Sequence, residues 1–318
     1  SGAGSAYKNM CAERFEEEAR KTGKPFRIVY LTNVGGSYNM LGETLRLTRE
    51  VLLEVSDFRR ENCPLSALTL GVKCGTSDAT SGIAGNPCVG AAFDQLIRAG
   101  GTAFFSETTE IIGAEDLVAK RAVNESVAKK ILSAARHWED KAKATGEDIR
   151  KINPIPANIA AGISSLEEKS LGAIAKSGTS PIQDVLKYAE MPKGSGLYFV
   201  DSWMSSLSLP LCLTACGATI MLYQMGGGKI AQHPMMPSIN PTVVSPFLYL
   251  TGNAIAYSRA PDNFDFDASP IMTEGASIPE MGTKLLEHLS AIASGTMTKM
   301  ETLNYAEQLE LYMEGPVL

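Results

Sequence analysis

At 318 residues the chain is too long for one small core, and its length predicts two lobes. Its composition, 44% hydrophobic and 20% charged, is that of an ordinary soluble globular protein. The net charge of −6, with scattered lysines and arginines, excludes a nucleic-acid footprint.

The sequence predicts a cytoplasmic protein with reduced thiols. No apolar run approaches the roughly 20 residues of a membrane-spanning helix, so no membrane partner is expected. The first residues, Ser1 to Ala6, lack the basic and apolar regions of a signal peptide. The six cysteines have no regular spacing, which favours free thiols, with disulfides as the alternative.

The first residues predict a helix over Tyr7–Lys21, a buried strand over Phe26–Thr32 and a helix over Leu41–Val55. An α/β lobe that opens on a helix is unusual. We therefore expect a strand before Phe26 to be missing or to be supplied by another chain.

A unit of strand, polar turn and helix then occurs twice in succession. Strands are predicted over Ala67–Val72 and Thr102–Phe105, followed by helices over Pro87–Ala99 and Ala114–Val123. A longer amphipathic helix is predicted over Val127–Ala144. This succession indicates a parallel sheet with helices on both faces.

The second half of the sequence predicts the same succession of strand, polar turn and helix. Residues 145–165 lack periodicity and are interpreted as a crossing segment between lobes. Ser165 and Glu168 form a capping-box-like start to a helix that runs through Ile174. Strands are predicted over Gly196–Val200, Thr219–Tyr223 and Phe247–Leu250, with helices over Ser205–Cys216, Pro279–Ser294 and Lys299–Met313. The predicted fold is α/β, with two Rossmann-like lobes (1–150 and 151–318) and mainly parallel sheets flanked by helices.

Four polar turns follow predicted strands, at residues 73–82, 106–113, 201–203 and 224–229. Because the carboxyl ends of parallel strands share one edge of a sheet, these turns are expected to converge on a crevice. This placement makes them candidate functional residues.

The first turn combines an amine, a thiol and a carboxylate. Lys73 could bind a carboxylate, or act as a base if burial lowers its pKa. Cys74 could be a metal ligand or a nucleophile, and Asp78 could orient either neighbour or bind a metal. The alternative is that Ser77 and Asp78 cap the following helix.

The other turns offer an acidic pair and a glycine run. Glu107 and Glu110 could serve as general base and metal ligand, or could be capping and surface residues. Gly226, Gly227 and Gly228 could cradle an anion through backbone N–H groups, or could form a flexible connector. His233 could line the cleft. The chain has no phosphate-loop, dinucleotide, zinc or serine-hydrolase motif.

The order of several blocks resembles the altronate/galactarate dehydratase family, from about Gly23 to the C-terminus. The blocks that carry this resemblance are Lys73-Cys74-Gly75 with Ser77-Asp78-Ala79 and Ser81-Gly82-Ile83, Asn86-Pro87, Ser106-Glu107, Glu110, Gly113-Ala114-Glu115, Leu166 to Gly172, Lys176-Ser177-Gly178, Gly196 to Asp201 and Asp265 to Ala268. The large domain of this family is similar to the large subunit of sulfolactate sulfo-lyase.

The resemblance implies a carbon–oxygen lyase that abstracts a proton next to the carboxylate of a sugar acid, such as altronate or galactarate, and eliminates water. The alternatives are the large subunit of a sulfo-lyase acting on sulfolactate, and a non-catalytic partner for acid binding or assembly. A divalent metal, iron(II), is expected, with ligands mainly outside this chain. A small N-terminal domain or separate small subunit is the expected partner, and a homo-oligomer is expected.

The resemblance also assigns roles to residues. The expected catalytic residues are Lys73, Asp78, Glu107 and Glu110, with Lys73 also expected as an electrostatic partner and Cys74 as a metal ligand. The expected substrate-binding residues are Ser77, Thr80, Ser81, Asn86, Lys169, Gly226, Gly227, Gly228 and Asn253.

Overall fold

The computed structural model describes residues 12–227, 240, 242, 244–303 and 310. The chain divides into two compact units, Ser1–Asn62 and Cys63–Leu318. This division differs from the predicted boundary at residue 150. None of the described helices is long and apolar enough to cross a membrane.

The described part of the first unit contains two helices, α1 (Ala12–Thr22) and α2 (Ser37–Ser56). The predicted strand over Phe26–Thr32 is wrong, because residues 24–30 have no regular structure and a turn follows. No residue between 12 and 62 is buried. A buried strand needs neighbouring strands for its backbone groups and a core for its side chains, and residues 12–62 supply neither.

The described part of the second unit is built on one parallel sheet of seven strands, which confirms the α/β class. The strands are β1 (Thr69–Cys74), β2 (Thr102–Phe105), β3 (Ile182–Leu186), β4 (Gly196–Val200), β5 (Ile220–Met225), β6 (Phe247–Thr251) and β7 (Phe266–Asp267). Their order across the sheet is β3-β4-β2-β1-β5-β6-β7. Two strands were not predicted: β3, which carries polar residues, and β7, which has only two residues.

The strands of the two predicted lobes form this one sheet, which corrects the expectation of two separate sheets. β1 pairs with β2 on one side and with β5 on the other, so that Cys74 lies opposite Gln224. The strand order reverses between β1 and β5: the chain continues from β1 to β2 on one side of this pair, and from β5 to β6 on the other side. A crevice at such a reversal is the usual ligand site of an open α/β sheet.

Helices flank the sheet along the rest of the unit. The described helices are α3 (Asn86–Arg98), α4 (Glu115–Ala119), α5 (Glu125–Ala144), α6 (Ile149–Ile152), α7 (Pro156–Ala160), α8 (Leu166–Ile174), α9 (Ser208–Ala215), α10 (Ala254–Arg259), α11 (Pro270–Thr273), α12 (Ile278–Ala293) and α13 (Lys299–Thr302). The segment predicted to cross between lobes contains α6 and α7. Ser165 caps α8 as predicted, by accepting from the Glu168 N–H.

Two apolar layers enclose the sheet. One contains Val72, Phe105 and Leu222 with residues of α3, α5 and α12. The other contains Phe104, Tyr223 and Phe247 with residues of α9. Strands covered on both faces carry continuous apolar runs, which is why β1, β2, β4, β5 and β6 could be located from the sequence.

Candidate functional site

Four ionisable side chains form one buried cluster at the carboxyl ends of β1 and β2. The Lys73 ammonium lies 2.6 Å from Glu107 Oε1, and the Lys176 ammonium lies 2.5 Å from Glu107 Oε2 and 2.6 Å from Glu110 Oε2. The Cys74 N–H also donates to Glu107 Oε2 at 2.8 Å. All four side chains are 5% exposed or less. We call Lys73, Glu107, Glu110 and Lys176 the ion cluster.

The ion cluster fixes the protonation of its members. Burial alone would lower the pKa of Lys73, but the surrounding groups, Glu107 foremost, together outweigh burial and hold that pKa above its usual value. The pKa of Lys176 is raised in the same way, against burial, by Glu107 and Glu110. Burial would raise the pKa of Glu107, but the charges of Lys176 and Lys73 lower it. Both amines are therefore cationic, and Glu107 is an anion, at neutral pH.

The backbone at Glu107 is strained. Its φ of 71° and ψ of 63° lie in the left-handed region, which a residue with a side chain rarely occupies. The turn that follows is held in place, because the Thr108 N–H donates to the Ser202 carbonyl oxygen and the Thr108 hydroxyl donates to Asp201 Oδ1. Strain that surrounding contacts maintain is concentrated at functional sites.

A second network holds the turn after β1 against the ends of β5 and β6. Asp78 Oδ2 accepts from the Gly227 N–H at 2.8 Å and from Asn253 Nδ2 at 2.9 Å. Asp78 Oδ1 accepts from the Thr80 hydroxyl and the Ser81 N–H. Since both oxygens of Asp78 are occupied, this geometry supports an organising role for the carboxylate.

A cavity of about 280 Å³ lies beside this turn. Its lining includes Ser77, Asp78, Ser81, Asn86, Glu168 and Lys169. Ser81 belongs to a single π-helical turn, Ser81–Gly85, a feature that is frequent at functional sites. Two contacts link the lining of the cavity to the ion cluster. The Ser77 hydroxyl is 3.2 Å from Cys74 Sγ, and the Cys74 N–H donates to Glu107.

The structure brings most predicted site residues into these three neighbouring features. Lys73, Cys74, Glu107 and Glu110 meet at the ion cluster. Asp78, Thr80, Ser81, Gly227 and Asn253 form the second network. Ser77, Asn86 and Lys169 line the cavity. Gly226 packs against the turn after β1, since a Cβ on Gly226 would lie 2.3 Å from the Thr76 carbonyl oxygen. Gly228 and His233 lie outside the described residues.

Two residues of the site, Lys176 and Asn158, were not among the predicted site residues. Lys176 is 69 residues from its partner Glu107 and lies in a short 3-10 turn after α8. Asn158 links the cavity to the turn after β1, by donating to the Ser77 carbonyl oxygen at 3.0 Å. The available signal was the Lys176-Ser177-Gly178 block of the family resemblance, which carries no chemical pattern of its own.

The described residues do not fit a divalent metal ion. No three histidine, cysteine, aspartate or glutamate side chains in this part of the chain come together as ligands. Cys74 binds metal only as a thiolate, whereas burial raises the pKa of its thiol to about 12. Lysine ammonium groups already hold Glu107 and Glu110. Iron(II) stays a prediction, with its ligands expected elsewhere.

An all-parallel sheet with a polar site at a strand-order reversal defines the chain as a Rossmann-like α/β protein with a crevice site. A sequence profile described as D-galactarate/altronate dehydratase, C-terminal, matches residues 65–316. The chain therefore belongs to the D-galactarate/altronate dehydratase C-terminal family, as the sequence resemblance predicted.

Three curated relatives illustrate the range of this family. The chain is 33% identical to (2R)-sulfolactate sulfo-lyase subunit beta of Chromohalobacter salexigens, over 91% of the chain and 72% of that protein. It is 34% identical to galactarate dehydratase (L-threo-forming) of Escherichia coli, over 89% of the chain and 52% of that protein. It is 33% identical to altronate dehydratase of Bacillus subtilis, over 86% of the chain and 52% of that protein. The chain thus spans about half the length of the two dehydratases.

Proposed function

We propose that this chain carries the site of a lyase that eliminates water from a sugar acid such as altronate or galactarate. The observation that carries this proposal is the ion cluster, which places two carboxylates and two ammonium groups at the sheet edge. Contacts through Cys74 and Ser77 link this cluster to the lining of the cavity. The two dehydratases among the relatives support the reaction class.

The elimination begins with removal of the proton next to the substrate carboxylate. Glu110 is the better base candidate, because it accepts a hydrogen bond from one ammonium group, that of Lys176. Glu107 accepts hydrogen bonds from Lys73, Lys176 and the Cys74 N–H. Each hydrogen bond to a carboxylate lowers its basicity. The same argument disfavours Lys73 as base, since its raised pKa keeps it protonated.

The two ammonium groups suit the second requirement of the reaction, stabilisation of the enediolate charge. They are fixed before the reaction by the carboxylates, and in a water-excluded site a fixed cation interacts strongly with developing charge. Removal of such a group from an active site lowers kcat by a factor of about 10² to 10³.

A sulfo-lyase acting on sulfolactate is the second candidate. The observation that favours it is the similarity to a sulfo-lyase subunit, which is 33% identical over 91% of the chain. The name of that relative, a subunit beta, indicates an enzyme with more than one subunit. A partner domain or small subunit would then complete the enzyme. A non-catalytic acid-binding partner is the third candidate.

The test is an elimination assay of the chain with altronate, galactarate and sulfolactate, alone, with iron(II), and with a small domain or subunit from a relative. Glu110→Gln is expected to lower kcat by a factor of about 10² to 10⁴, the usual contribution of a general base, with little change in KM.

Glu115→Gln is the matched control, because Glu115 is bound by Arg150 outside the ion cluster, and it is expected to keep near-normal turnover. An unchanged rate for Glu110→Gln contradicts its assignment as base. Turnover of sulfolactate alone favours the second candidate, and acid binding without turnover under all conditions favours the third.

A further inference from the structure

Lys169 is a buried cation without an anionic partner among the described residues. It is 7% exposed, and its ammonium donates to Asn153 Oδ1 at 2.6 Å and to Asn158 Oδ1 at 3.1 Å. Both acceptors are neutral amides. A lysine ammonium has three donors, and burying its charge is costly unless an anion balances it.

The carboxylates that line the same cavity are bound by other donors. Asp78 accepts hydrogen bonds on both oxygens from the second network. Glu168 lies at the exposed rim and accepts from the N–H and hydroxyl of Ser164. The positive charge of Lys169 is therefore left for a ligand.

One residue of the cavity lining also carries a buried acceptor without a donor among the residues that the structure describes. Asn86 is 1% exposed, and its Nδ2 donates to the Gly172 carbonyl oxygen at 2.8 Å. This bond fixes the orientation of the amide, since a flipped amide would set two oxygens against each other. Asn86 Oδ1 then has no hydrogen-bond partner within the described part of the chain. A buried orphan acceptor of this kind calls for a ligand hydroxyl or a water.

One face of α8 carries Lys169 and also Gly172, whose carbonyl oxygen binds the Asn86 amide. Lys169 and Gly172 are three residues apart and so lie on the same side of the helix. That side meets the π-helical turn closely, because a Cβ on Gly172 would lie 3.0 Å from the Gly82 Cα. Small residues on both sides let Asn86 reach the Gly172 carbonyl while Lys169 lines the same space.

From this pairing we infer that the cavity is the binding subsite for a hydroxycarboxylate, with Lys169 bound to a carboxylate oxygen and Asn86 Oδ1 accepting from a hydroxyl. The inference deepens the proposed function and rests on it for the substrate class. The volume of about 280 Å³ is at the small end of ligand pockets, which suits a small acid. The subsite is joined to the ion cluster through Ser77 and Cys74.

The test is calorimetric titration of the 318-residue chain with galactarate, altronate and sulfolactate. The polyol galactitol, which lacks a carboxylate, is expected not to bind. Lys169→Met is expected to weaken acid binding by a factor of about 10 to 100, the contribution of a hydrogen bond to a charged group. Lys120→Met, at an exposed lysine, is the matched control and is expected to bind as the unchanged chain does.

A second variant keeps the test decisive if Lys169→Met misfolds. Asn153→Asp places a carboxylate beside the Lys169 ammonium at nearly unchanged shape, so the internal ion pair is expected to reduce acid binding to a similar extent. Asn86→Ala is expected to weaken galactarate binding and to leave binding of adipate, the same diacid without hydroxyls, unchanged.

The inference is overturned if none of the three acids binds the unchanged chain, or if Lys169→Met and Asn153→Asp bind acids as tightly as the control. If the chain turns over substrate and both variants bind acids normally, the subsite is contradicted and the proposed function is still supported. If acid binding depends on Lys169 but no assay shows turnover, the proposed function is contradicted and the subsite is still supported.

Discussion

Lys176 joins the two carboxylates of the ion cluster. It is the shared partner of Glu107 and Glu110, and it reaches them from a turn far along the chain. A buried ion pair is costly to assemble, and removing one partner leaves an uncompensated charge. The residue is therefore expected to matter for stability as well as for the proposed chemistry.

Lys176→Met is expected to lower the free energy of unfolding by about 3–5 kcal/mol, because it leaves buried Glu110 without its ammonium partner and Glu107 with Lys73 alone. Lys130→Met is the matched control. It removes the half-exposed pair with Asp184, which is worth about 0–1 kcal/mol. Urea denaturation measures both values, and a loss for Lys176→Met no larger than that of the control would contradict the buried network.

At the scale of elements, α3 positions Lys176 through a close backbone approach. Gly90 of α3 packs against the turn Ala175–Ser177, and a Cβ at this position would lie 2.2 Å from the Ala175 carbonyl oxygen and 2.8 Å from the Gly178 nitrogen. Both neighbours are backbone atoms, so neither can rotate away. The absence of a side chain at Gly90 sets the distance between helix and turn.

Gly90→Ala is expected to destabilise the protein by about 1–3 kcal/mol through overpacking and to reduce the elimination rate by displacing Lys176. Gly42→Ala in α2 is the control, since nothing lies within 4 Å of its Cβ and alanine favours a helix by about 0.5–1 kcal/mol. Thermal unfolding and the elimination assay measure the two effects. Equal stability and activity for both variants would show that the approach at Gly90 has no role.

For the whole molecule, the ion cluster links stability to pH. The folded pKa of Glu107 lies below its usual value of 4.5, so its contribution is present above about pH 4.5 and is lost as pH falls through the folded pKa. The folded pKa values of Lys73 and Lys176 lie above 10.5, so their contribution is present below about pH 10.5 and is lost only at higher pH.

The free energy of unfolding is therefore expected to fall on acidification below about pH 4.5, and to fall less steeply in Glu107→Gln, which has no carboxylate to protonate there. Denaturant titrations between pH 3 and pH 7 measure the two slopes. The comparison of slopes separates Glu107 from other acidic groups. Parallel slopes in the two proteins would contradict the lowered pKa.

The sequence predicted the local features that periodicity encodes. Thr102–Phe105 and Gly196–Val200 were located to the residue, because strands covered on both faces are short apolar runs ended by polar turns. Phe26–Thr32 has the same local composition and forms no strand. β-propensity reports fitness for a half-buried pleated surface, and residues 12–62 have no such surface.

The α/β class, the family and the placement of Lys73, Glu107 and Glu110 at strand ends could be predicted from the order of the residues. Whether Lys73 is a base or an electrostatic partner could not. Only the folded chain shows that β1 and β2 lie between β4 and β5 in one sheet, and that Lys176 reaches Glu107. The physical reason is range: periodicity and capping act within a few residues, whereas strand order and the charge around a buried group depend on contacts between distant parts of the chain.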